Sequence, residues 1–236
     1  MKIYTTSLLG VNIALNNFNN RWIYDKPALI QQANKWSSDI PWIKPYYAVK
    51  SNPLPYILED LVNYRSDKSF KIGLDVASLK ETDLALKYTQ LDNTIYTNPH
   101  TMPCEINKKC NIKVVDSVGE IELLKQYNIN CPLLIRMNSC VNKAKINFNS
   151  KFGATIEEAH DIIKVAQHYN YLIKGVSFHI GSGGEFSRKD AFQTTFFTPF
   201  YISNADFKLY KNNLNIYYIY IYIIINGRRN IRSIQF

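Results

Sequence analysis

What most constrains this chain is a unit that recurs along it: a short apolar run of β type, a polar residue at its exit, then a helix start. Residues 71–78 form one such run, and Ser78 with Glu81 makes an S-x-x-E capping box that opens a helix through Leu84, Leu86 and Tyr88. Residues 94–99 form another strand. Residues 112–116 form the next, followed by a second box, Ser117 with Glu120, and a helix through Ile121, Leu123 and Leu124. Residues 132–138 give a further strand, after which Thr155 and Glu158 cap a helix whose Ile162, Val165, Ala166 and Tyr169 recur at helical spacing. Upstream, residues 46–52 run as a strand into the helix-start chemistry of Asn52 and Pro53; downstream, residues 175–183 form the last strand of the series. Strands alternating with helices mean parallel βαβ units and a sheet covered by helices.

The polar residues at the strand exits are Lys50, Asp75, Asn98, Asp116, Arg136 and His179. In a parallel α/β barrel these ends converge on one face, where the active site lies. Lys50 leaves Tyr46-Tyr47-Ala48-Val49, and an apolar and aromatic fence of that kind can desolvate an amine and make it a nucleophile toward carbonyls. Taken singly, each residue also has an ordinary reading: a strand-capping lysine, a helix-capping aspartate, a surface arginine, a hydrogen-bonded histidine, a turn serine at Ser182. Six such exits of mixed chemistry fit a cofactor enzyme better than a scaffold.

Tyr47-Ala48-Val49-Lys50, Leu74-Asp75-Val76-Ala77-Ser78, Tyr96-Thr97-Asn98-Pro99, Leu134-Ile135-Arg136, Lys151-Phe152-Gly153-Ala154 and Ser177-Phe178-His179-Ile180-Gly181-Ser182-Gly183 resemble, in order and approximate spacing, the barrel domain of the ornithine decarboxylase family. That family belongs to the fold-type III pyridoxal-phosphate decarboxylases, with the diaminopimelate and arginine enzymes. The resemblance covers about residues 27–195 and implies a (β/α)8 TIM-type barrel that binds pyridoxal 5'-phosphate. It implies that Lys50 holds the cofactor covalently and moves protons, that His179 stacks on the pyridine ring, that Ser182 hydrogen-bonds the phosphate, and that Asp75 and Arg136 line the pocket. A flat imidazole and the hydroxyl and amides of a Gly-Ser-Gly turn suit those roles chemically. Lys151 matches a lysine near the family's dimer contact, with a solvated lysine as the plain alternative. The histidine motif reads closer to the ornithine branch than to the diaminopimelate branch; Ser51, where animal members commonly carry cysteine, reads as a neutral swap.

The same resemblance marks what does not occur. About six of the eight βα units can be found before the pattern stops near Phe196. The family's glycine-rich phosphate loop, the acidic partner of the pyridine nitrogen, the phosphate arginine and the carboxy-terminal β-domain with its cysteine and aspartate have no counterpart. The expected organisation is therefore an N-terminal segment at 1–26, an incomplete barrel at 27–195 and a low-complexity tail at 196–236. Val11 to Leu15 would be an orphan strand of the missing β-domain. The tail's Ile, Tyr and Asn vocabulary around 212–226 suits read-through into AT-rich sequence, is strongly β-prone and lacks the roughly 18 apolar residues of a membrane helix. It is expected to contribute nothing to the site.

Composition narrows the function classes. The 236 residues, 46% hydrophobic, suffice for one domain-sized core. The net charge of +9 divides into +4 from residues 201–236 and +5 from the rest, so it is nearly half a property of the tail, and without a recognition motif it does not argue for nucleic acid. Cys104, Cys110, Cys131 and Cys140 show no Cys-x-x-Cys and no paired histidines, which indicates neither metal nor redox chemistry. His160 and His168 fall on one helix and read as surface residues. No signal-peptide pattern follows Lys2, and a reduced, cytoplasmic setting is expected. The leading reading is an ornithine decarboxylase-like enzyme, homodimeric when complete and acting on a small amino acid, ornithine to putrescine, with this chain inactive alone. Two others are a catalytically dead relative that binds the regulatory protein antizyme and a one-domain pyridoxal-phosphate carrier.

Overall fold

The computed structural model describes residues 21–39, 44–65, 71–100, 111–138, 152–178, 220–221 and 231–234. Two sheets form. β1 (Arg21–Tyr24) pairs antiparallel with β9 (Ile231–Ile234). The larger sheet holds, in chain order, β2 (Tyr46–Ala48), β3 (Gly73–Val76), β4 (Thr94–Tyr96), β5 (Lys113–Val115), β6 (Leu133–Met137), β7 (Ile173–Phe178) and β8 (Tyr220–Ile221), every neighbouring pair parallel. Sequential parallel pairing with helical crossovers is the construction of a (β/α) barrel. β2 to β7 are the six strands read from the sequence. The sequence left the tail no place in that sheet, whereas Tyr220–Ile221 pairs with β7 as a seventh strand, opposite Ser177 and Phe178. The expected orphan strand at Val11 to Leu15 lies outside the described residues.

Each helix begins and ends for a local reason. α1 (Lys26–Asp39) was not read from the sequence, because its buried face is Leu29, Ala33 and Ser37, and a serine interrupts the apolar stripe. Its start is nevertheless explicit: Asp25 Oδ1 accepts from Ala28 N at 2.9 Å, with Pro27 in the first turn. α2 (Pro55–Asn63) follows the Asn52–Pro53 stop and starts on a proline. At α3 (Leu79–Ala85) the Ser78 hydroxyl accepts from Glu81 N, but Glu81 Oε2 reaches Ala77 N at 2.9 Å, one residue before the cap. At α4 (Val118–Gln126) Ser117 accepts from Glu120 N, and the Glu120 side chain turns instead to Lys113. Among the described residues it is α5 (Ile156–His168) that completes the reciprocal box, Thr155 with Glu158. α4 and α5 terminate alike, on Asn128 and Asn170 in the left-handed region (φ 52° and 60°), with Ile129 N bonding Leu124 O and Tyr171 N bonding Ala166 O.

Strand alternation divides the core in two. Tyr47, Val49, Leu74 and Val76 face α1, α2 and α3 and pack with Leu29, Ala33, Ile57, Leu58, Leu61 and Ala85. Val115, Leu133, Ile135, Met137 and Ile173 face α4 and α5 and pack with Ile121, Leu124, Ala159, Ile162 and Ala166. The residues between them along the strands point to the opposite, inner face, where Ile95, Ile112, Val114 and Leu134 cluster with Tyr46. Fully burying each large aliphatic side chain contributes roughly 1.5–3 kcal/mol, so both faces must be covered, as parallel sheets require. Among the described residues no helix is long and apolar enough to cross a membrane.

Candidate active site

The inner face turns polar toward the carboxyl ends of its strands. Cα register places Ala48 opposite Asp75, Asp75 opposite Ile95, Leu134 opposite Gly175 and Arg136 opposite Ser177. By the period of two, Asp75 shares the inner face with Ile95, Val114 and Leu134, level with Ile95, and Thr97, Arg136 and Ser177 follow on the same face one level higher. The hydrophobic cluster forms the floor and the polar residues form the rim.

Lys50 sits in a tight turn, Val49–Ser51, immediately after β2. Three neighbours shape it: Ser51 Oγ donates to Ala48 O at 2.7 Å, Tyr47 Oη donates to Asn52 O at 3.3 Å, and Leu54 N donates to Asn52 Oδ1 at 3.3 Å. Ser51 is thus part of the turn. Lys50 is exposed, which differs from the fully fenced amine expected from its apolar neighbours: Tyr47, Ala48 and Val49 are buried in the sheet, and the turn carries position 50 past its end.

Asp75 is 3% exposed. Its Oδ1 accepts from Thr97 Oγ1 at 2.5 Å, while Oδ2 is buried with no hydrogen bond from the described residues. Burial is the main influence on its pKa and raises it from the usual carboxylate range to about 7; the Thr97 hydrogen bond and the positive charge of Lys50 oppose the rise, and Glu81 adds to it. Lys50 and Asp75 therefore act on one another electrostatically across neighbouring strand ends.

Arg136 sits near the end of β6, its guanidinium 4.6 Å from the centre of the Phe152 ring; His100 approaches the same ring at 6.1 Å. The segment around Phe152 is laid over the strand ends by backbone bonds, Ala154 N to Arg136 O at 2.8 Å and Asn138 N to Ala154 O at 3.0 Å. Gly153 N also donates to Asp116 Oδ2 at 3.0 Å. Gly153 has φ +96°, and a Cβ there would lie 2.8 Å from Asn138 N, so the close approach requires glycine. Ser177 Oγ is buried with no hydrogen-bond partner among the described residues.

Of the site residues expected from sequence, Lys50, Asp75 and Arg136 are brought to the same end of the sheet; His179, Ser182 and the contact candidate Lys151 lie outside the described residues. Asp116 fastens the Phe152 segment. Asn98 offers its backbone carbonyl to Lys113 Nζ at 3.0 Å. Thr97 and Ser177 were missed, although each stands two residues from an inner-face neighbour and strand alternation would have found both. Lys113 was missed as well: inside β5 and 3% exposed, it pairs with Glu120 at 3.3 Å and lies 5.2 Å from the Tyr96 ring centre.

Two polar atoms buried without partners among the described residues, Asp75 Oδ2 and Ser177 Oγ, share the inner face with the cationic Arg136, a set that fits a planar cofactor with polar edges and a negative charge. A family model described as pyridoxal-dependent decarboxylase, pyridoxal binding domain, matches residues 27–195. The chain is 30% identical over 171 residues to ornithine decarboxylase of Leishmania donovani, covering 70% of this chain and 23% of that protein. It is 30% identical over 197 residues to ornithine decarboxylase of Candida albicans, covering 78% and 40%. Among solved structures, lysine/ornithine decarboxylase from Vibrio vulnificus complexed with putrescine superposes with a TM-score of 0.65 at 27% identity, covering 81% of this chain and 52% of that one. The arginine decarboxylase of Paramecium bursaria Chlorella virus shares the fold, with a TM-score of 0.66 at 21% identity over 80% and 54%. The chain thus spans under half the length of these curated relatives and about half that of the solved structures.

Proposed function

The chain belongs to the pyridoxal-dependent decarboxylases and carries their pyridoxal-binding domain, and from that premise we propose that Lys50, Asp75, Arg136, His179 and Ser182 hold pyridoxal phosphate in an ornithine decarboxylase-like carboxy-lyase. What supports this reading is the placing of Lys50, Asp75 and Arg136 at the carboxyl end of one parallel sheet of an incomplete (β/α)8 barrel, where Asp75 Oδ2 and Ser177 Oγ are buried without partners among the described residues. When bound, pyridoxal phosphate supplies a conjugated ring that accepts the electron pair released as carbon dioxide leaves. Lys50 offers its Nζ from the turn after β2, both as the covalent anchor and as the carrier of a proton. Asp75 sets the charge beside that amine, and the apolar floor of Ile95, Val114 and Leu134 excludes water beneath it.

Ornithine as substrate is supported by the identity of the relatives, which are ornithine decarboxylases. A homodimer and a cytoplasmic setting belong to the same proposal. We also infer that these residues alone do not turn substrate over, because among the described residues the sheet runs from β2 to β8 without pairing those two edges.

The test is reductive trapping. Purified chain is mixed with pyridoxal phosphate, reduced with borohydride and digested, and the labelled lysine is identified. The reading expects Lys50 to carry the label and Lys50→Ala to lose the visible absorption band; a label at another lysine with Lys50 unmodified overturns it. Release of labelled carbon dioxide from ornithine at roughly 1 per second or faster by this chain would overturn the inference that it is inactive alone.

A further inference from the structure

Thr97 stands just past β4, on the inner face, and its place relative to β3 is set by the backbone: Thr97 N donates to Val76 O at 2.9 Å, continuing the ladder beyond the strand. Its side chain is buried, and its hydroxyl has Asp75 Oδ1 at 2.5 Å as acceptor. The hydrogen bond spans 22 residues of sequence and lies wholly inside the protein. The other Asp75 oxygen is buried and accepts no hydrogen bond from the described residues. The charged groups acting on Asp75 are Lys50, from the turn after β2, and Glu81, from α3. Glu81 is already engaged at Ala77 N.

We propose that Thr97 is a positioning residue of the cofactor pocket: by holding Oδ1 it fixes the rotation of the Asp75 carboxyl and leaves Oδ2 as the single oxygen presented to the inner face and to Lys50. A carboxyl held at one oxygen by a neutral donor can still gain or lose its proton at the other, which lets the group follow the charge of what binds beside it. An unheld carboxyl would rotate, and its two oxygens would be equivalent. The hydroxyl also stabilises the charged form, since a donor helps the carboxylate more than the acid. This inference rests on the reading of Asp75 as a pocket residue, and its first test does not depend on that reading.

The experiment labels aspartate side chains with carbon-13 and follows the Asp75 carboxyl against pH in the cofactor-free chain, with Asp75→Asn identifying the resonance. Thr97→Val, nearly the same shape without the hydroxyl, is expected to raise the Asp75 midpoint by roughly one pH unit, the worth of one buried hydrogen bond; Thr97→Ser, which keeps the hydroxyl, is expected to leave it in place. A Thr97→Val midpoint equal to that of the parent, or a Thr97→Ser midpoint displaced as far as that of Thr97→Val, overturns the proposal. The second arm measures the affinity for pyridoxal phosphate. Thr97→Val should weaken it several-fold in the parent and have no effect in the Asp75→Asn background, whereas an equal loss in both backgrounds means that Thr97 acts only on packing and also overturns the proposal. If the titration behaves as expected while trapping labels a lysine other than Lys50, the coupling of Thr97 to Asp75 stands and the cofactor reading falls.

Discussion

Replacing Lys113 by methionine tests the part of the molecule that the sequence concealed best. Lys113 and Glu120 are 3% and 8% exposed, with Nζ and Oε2 3.3 Å apart, between the sheet and α4. Nζ also donates to Asn98 O at 3.0 Å and Pro99 O at 3.4 Å, so it ties the exit of β4 to the start of α4. Methionine fills much the same volume, so packing changes little. The substitution leaves Glu120 buried without this cation and removes the donor from the carbonyls of Asn98, Pro99 and Val114. Breaking one side of a buried pair costs about 3–5 kcal/mol, and we take about 4 kcal/mol here because the carbonyls lose their donor at the same time. Glu120→Gln should cost less, about 1–3 kcal/mol, since the three carbonyls around Nζ, those of Asn98, Pro99 and Val114, remain. The double variant Lys113→Met, Glu120→Leu removes both charges and should return to within about 1 kcal/mol of the parent. Urea unfolding followed by circular dichroism reads these values: with a slope near 2 kcal/mol per molar, Lys113→Met lowers the midpoint by about 2 M. The reasoning fails if Lys113→Met costs under about 1 kcal/mol, or if the double variant is as unstable as the two single losses added.

Three further outcomes are expected. In the cofactor-free chain, Asp75 takes up its proton at about 7 when folded against 3.8 as the ordinary value. A raised acid is more protonated folded than unfolded, so its contribution favours folding at low pH and is withdrawn as pH rises between those values. The slope is about 1.4 kcal/mol per pH unit, and Asp75→Asn should abolish that decline, as stability curves taken between pH 5 and 8 would show. Gly153→Ala forces a side chain into φ +96° and against Asn138 N and should cost about 2 kcal/mol or more, read as a fall in melting temperature; an unchanged melting temperature would contradict the close approach. Thr155→Ala removes the acceptor of Glu158 N at 3.2 Å and should cost about 0.5–2 kcal/mol, measurable by hydrogen exchange in the first turn of α5; unchanged exchange there would contradict the capping role.

Much of the sheet was legible because its signals are local. A run such as Thr94–Tyr96 is β-prone at every position, and Ser78, Ser117 and Thr155 announce helices whatever surrounds them. The placing of Lys50, Asp75 and Arg136 was legible for the same reason, since each lies within two residues of a strand's end. α1 was not, because its buried stripe includes Ser37 and its cap, Asp25, follows a strand outside the repeating series. Lys113 was not, because a charged residue inside a strand gives no local sign of whether it faces water or a carboxylate in the next helix.

The sequence by itself determined the repeating βα unit, the polar strand exits and the membership that follows from their order, because capping, alternation and helical periodicity act within a few residues. Only the tertiary structure decided which of those exits share a face. Register between strands places Asp75, Arg136 and Ser177 on the inner side, Thr97 reaches Asp75 across 22 residues, and Lys113 is sent to the outer side with Glu120. Register is settled by which side chains can be buried together over the whole sheet, a long-range condition that no single segment contains.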